Sequence, residues 1–141
     1  MRKPYWRLRF NVWLSITGTP AHDGWPEPPF EIEDPTQPIG TLVKIESDLD
    51  IQKLFNTWCS LPGMTSANLF EYTSFLCHPR HLVENSIQDL FHRKNYCDKY
   101  PAVPPFPGSY DDQPAWWFDV LGIIETETEL ATGFVNRKQG K

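Results

Sequence analysis

The residues best suited to bind a metal are Cys77, His81, His92 and Cys97, in the order C-x3-H-x10-H-x4-C. Thiolate and imidazole are the ligands of tetrahedral zinc. On one continuous helix His81 and His92 would stand about 16 Å apart at ~1.5 Å per residue, too far to share an ion. A shared site needs a chain break between Leu82 and Phe91, a stretch with neither glycine nor proline. A helical projection turns both histidines away from the apolar stripe and toward solvent. The expectation is therefore surface histidines, buried or half-buried thiols, no metal and no cofactor.

Other pairs are weaker. Cys77 precedes His78, but neighbours in sequence do not make a nucleophile and its base, and Pro79 follows at once. His22-Asp23 lies among prolines and glycines, where it reads as turn chemistry. Asp48 with Asp50, and Asp111 with Asp112, lack the spacing of a calcium loop. There is no phosphate-binding glycine loop, G-x-S-x-G elbow or H-E-x-x-H pair. A metal-dependent or Cys/His enzyme built on Cys77, His81, His92 and Cys97 thus ranks below a non-enzymatic binding protein.

The elements that position these residues follow from apolar spacing. Trp6, Leu8, Phe10, Val12, Leu14 and Ile16 alternate with Arg7, Arg9, Asn11, Trp13 and Ser15, a period of two that predicts a strand. Residues 17–40 hold six prolines and predict a long loop with one short extended piece at Phe30 to Glu33. A strand is expected over Thr41 to Glu46. Ser47 then caps a helix carrying Ile51, Leu54, Phe55 and Trp58 on one stripe. A second helix is expected from Thr65 or Ser66 to Leu76, with a strand as the competing reading, and a third from Pro79 to about Cys97. Trp116 to Ile124, apolar on nearly every side, predicts a central strand. The sum is an α+β domain over residues 1–135: a small, mostly antiparallel sheet with about three helices on one face, two long proline-rich loops, and a frayed tail over 136–141.

Composition narrows the function. The chain has 141 residues, 14 prolines against 8 glycines, 6 tryptophans and a net charge of -5. No apolar stretch reaches the roughly 20 residues needed to cross a bilayer, and the apolar run near the N-terminus is too short for a secretion signal. Three cysteines are an odd number, which favours free thiols in a reducing cytoplasm. The acidity is segregated. Residues 21–50 carry eight acids against Lys44, and residues 111–130 carry six acids with no base.

Both acidic segments coincide with aromatics and adjoin proline runs. Trp25, Glu27, Phe30, Glu31, Glu33 and Asp34 in the first, with Tyr110, Asp111 and Asp112 in the second, make a candidate docking surface for a basic protein. Aromatics supply contact energy there and carboxylates steer the encounter. Arg2, Lys3, Arg7 and Arg9 form a local basic patch, but the acidic balance disfavours nucleic acid. The PxxP spacings, embedded among aromatics, read as packing rather than as ligands. The leading expectation is a small acidic protein that engages and inhibits a macromolecule, in the manner of immunity proteins, antitoxins or phage counter-defence proteins. A structural subunit of an oligomer is the third reading.

Overall fold

The computed structural model describes residues 5–18, 25, 27–76 and 78–139. The elements in chain order are helix α1 (Trp6–Thr17), strands β1 (Phe30–Glu33) and β2 (Leu42–Ile45), helices α2 (Asp48–Cys59) and α3 (Ser66–Leu76), a 3₁₀ turn (Pro79–Leu82), helix α4 (Asn85–Lys99), a second 3₁₀ turn (Tyr110–Asp112) and helix α5 (Ala115–Gln139). The class is α+β, with one two-stranded antiparallel sheet and five α-helices among the described residues.

The first strand expected from the sequence is helix α1. Residues two apart on a helix are ~200° apart, so apolar residues at alternate positions lie on opposite sides of it. Phe10 and Trp13, with Trp6 and Leu14 beside them, face one core with Phe55, Trp58 and Phe70. Leu8 and Val12 face a second core with Ile87, Trp117, Val120 and Ile124. The alternation that resembled a pleat records a helix buried on two sides. The other expected strand, Trp116 to Ile124, is the start of α5. Its buried residues Trp117, Val120, Ile124, Glu127 and Ala131 recur at intervals of three and four, one helical stripe. α5 runs through Gln139, past the Asn136 at which the sequence suggested a tail.

The expected long helix from Pro79 is broken. Val83 and Glu84 are extended, at φ -81°, ψ 133° and φ -119°, ψ 135°. The cause is tertiary. Leu82 is fully buried, Asn11 Nδ2 on α1 donates to its carbonyl at 3.3 Å, and Arg7, one turn earlier, pairs with Glu84. A continuous helix would use that carbonyl internally and swing Leu82 out of the core.

The remaining elements follow the sequence. α2 buries Ile51, Leu54, Phe55 and Trp58, and α3 spans the stretch for which helix and strand competed. Ser47 precedes α2 as expected, but its side chain makes no capping bond. In the sheet, Phe30 pairs with Ile45 and Ile32 with Val43, all four packed toward the first core; Glu31 pairs with Lys44 and Glu33 with Leu42 on the outward side.

Candidate docking face on the hairpin

The hairpin is an apolar sheet face laid on α2, with its charged face turned outward. Between the strands the chain makes a tight, internally bonded turn. Glu33 Oε1 accepts the Gly40 N–H at 2.7 Å, the Thr41 N–H reaches Pro38 O at 3.1 Å, and the Asp34 N–H reaches Thr41 O at 3.0 Å. Gly40 sits at φ 91°, in the left-handed region where a side chain is strained. Asp34 turns inward and is 4 % exposed; its Oδ1 accepts the Thr36 N–H at 2.9 Å, the Thr36 hydroxyl at 2.7 Å and the Trp58 indole N–H at 3.1 Å. These bonds pin the turn to α2.

At the apex this arrangement leaves Ile39 99 % exposed and Leu42 62 % exposed. Neither residue was a candidate from the sequence. The signal was present as Pro38-Ile39-Gly40, an apolar residue between two turn formers, but nothing local distinguishes it from a buried loop plug.

The candidates drawn from the acidic segments divide. Glu31 and Glu33 lie on the outward face of the hairpin. Asp34 is a correction: its carboxylate is buried and bonded within the chain, so it offers nothing to a partner. Phe30 belongs to the first core, Trp25 packs edge-on to His78 with ring centres 5.0 Å apart, and Glu27 pairs with Arg80. The second segment attaches to the other core, through Phe106 against Trp116 and Trp117. Within it Asp112 Oδ2 accepts the Ser109 N–H at 2.9 Å and the Ser109 hydroxyl at 3.0 Å, which hold its carboxyl below the usual aspartate range, the backbone bond contributing most. Asp111 is exposed, and Tyr110 is the first residue of the 3₁₀ turn.

Among the described residues, His81, His92 and Cys97 do not form a metal-holding group. Cys77 lies outside the described residues, as do His22 and Asp23, while Cys59 and Cys97 are half-buried. His92 is exposed. His81, expected at the surface, has a side chain only 7 % exposed, with Nδ1 2.9 Å from Asp48 Oδ1 and Nε2 3.8 Å from Glu27 Oε2. It ties the 3₁₀ turn to the start of α2. Asp50 is likewise engaged, accepting the Glu46 N–H at 2.9 Å. Among the described residues no group of three histidine, cysteine or acidic side chains is placed to hold a metal ion.

Comparison with family models, with curated proteins and with solved structures returns no significant match. Among the described residues no helix is long and apolar enough to cross a membrane.

Proposed function

We propose that this chain is a small acidic protein-binding protein whose hairpin docks onto a basic protein partner and blocks it. The observation that carries the reading is Ile39, almost wholly exposed on a pinned turn, next to a sheet face that presents Leu42, Glu31 and Glu33 with Lys44 the one base among them. An apolar apex held in one conformation loses little entropy on docking. Carboxylates around it raise the encounter rate with a basic surface and disfavour acidic ones. An odd number of cysteines, three, suits a reducing, cytoplasmic setting. Asp111 and Asp112, exposed on a segment that adjoins the other core, are not needed for this contact.

The test is affinity capture from the native lysate with three baits: the wild-type chain, Ile39→Ser with Glu31→Lys, and Leu130→Ser, which removes an exposed apolar residue at the far end of α5. Glu33 is left intact because it closes the turn. Basic proteins retained by the wild type and by Leu130→Ser should be missing from the hairpin variant, should elute as salt is raised, and when purified should lose activity on addition of this chain. A hairpin variant that captures the same set overturns the reading.

A further inference from the structure

Helix α4 fully buries Ile87 and leaves Leu90 and Phe91 half covered, although both pack toward the second core. Its N-terminal end is fastened to α1 through Gln88 Nε2 to Asn11 Oδ1 at 3.4 Å and through the Arg7–Glu84 pair. Further along, a cleft of about 510 Å³ opens between α1, α4 and α5, floored by Val12, Ile16, Phe91 and Ile124. That volume lies within the range of ligand clefts. A second recess of about 220 Å³ lies beside Trp117, Leu121, Val103 and Pro104. Lys94 and Glu125 line both, so the two recesses lie side by side along α5 as one interrupted trough.

The trough has a definite length and sign of charge. From Trp117 to Glu129 along α5 is about 18 Å at ~1.5 Å per residue, or about three helical turns. Its rim carries the exposed carboxylates of Glu125 and Glu129. Lys94, the cation among the residues lining it, is neutralised by Asp98 at 2.6 Å. An apolar floor of that length under an acidic rim matches an amphipathic helix with one apolar face flanked by lysine or arginine. We infer that the α1–α4–α5 trough is a second binding site, distinct from the hairpin, that receives a basic amphipathic helix of a partner protein.

The experiment measures fluorescence anisotropy of a labelled 14-residue peptide with leucines on one helical face and lysines flanking them, against a scrambled peptide of the same composition. The patterned peptide should bind at least tenfold more tightly than the scrambled one. Glu125→Lys with Glu129→Lys, both at exposed positions, should weaken it by about tenfold at low salt and much less at high salt. Ile16→Lys should do likewise, with folding of each variant checked by circular dichroism. Ile39→Ser with Glu31→Lys should bind the peptide as the wild type does, which separates this site from the hairpin. Equal affinity for the two peptides, absence of binding, or no loss on charge reversal at Glu125 and Glu129 overturns the inference and leaves the hairpin reading standing.

Discussion

Glu127 shows how one residue can hide an element. It occupies a core position of α5 at 4 % exposure, where Oε2 accepts the Trp13 indole N–H at 2.7 Å, Oε1 accepts the Ser66 hydroxyl at 2.9 Å, and Arg9 Nε stands 3.4 Å from Oε1. One carboxylate thereby joins α1, α3 and α5. Glu127→Ala should cost about 3–5 kcal/mol in urea unfolding, because the indole N–H and the Arg9 charge lose their partner. Glu127→Gln keeps an acceptor for one donor and should cost less. Asp112 provides a pH-dependent counterpart at the surface. Its folded pKa is depressed, so the contribution of its bonds to Ser109 is present above the ordinary aspartate range and is lost as pH falls through the depressed value. A carboxyl-carbon titration should place Asp112 below the ordinary aspartate range. In Ser109→Ala the midpoint should rise yet stay low, because the backbone bond persists.

At the scale of elements, the decisive choices were made by neighbours. α2 was legible because its four buried residues form one stripe against one core, and β1 and β2 were legible as short extended pieces between turn residues. α1 was misread because it has two apolar faces, and the sum of two helical stripes imitates a period of two. α5 was misread because Glu127 interrupts a stripe that otherwise continues from Trp117 to Ala131. The break before α4 has no local cause; Asn11 and Arg7 of α1 impose it. Leu82→Ala should therefore destabilise by about 2–5 kcal/mol, as expected for a fully buried leucine. Asn11→Ala should lower protection of the Ile87 and Gln88 amides in hydrogen exchange, since the join between the 3₁₀ turn and α4 then lacks its anchor. Unchanged exchange there would mean that Leu82 alone sets the break.

For the whole molecule, α1 is the wall between two cores, with Phe10 and Trp13 in one and Leu8 and Val12 in the other. The cores should accordingly unfold together. Side-chain resonances of Trp58 in the first and Trp117 in the second should report one urea midpoint, and Phe10→Ala or Val12→Ala should move both equally. Separate midpoints would show two independent units. The same division bears on the candidate surfaces, for the two acidic segments adjoin different cores and the exposed hairpin apex belongs to the first alone. By itself the sequence determined the α+β class, the hairpin strands, α2, the segregation of acidic charge and the absence of a catalytic motif, because each depends on the order and type of nearby residues. The tertiary structure alone decided which alternating segment is a helix, that Asp34 and His81 turn inward, that Ile39 stands free, and that α4 leaves an acidic-rimmed trough. Those outcomes depend on which side chains meet across the fold, and contacts between distant residues leave no periodic mark on the chain.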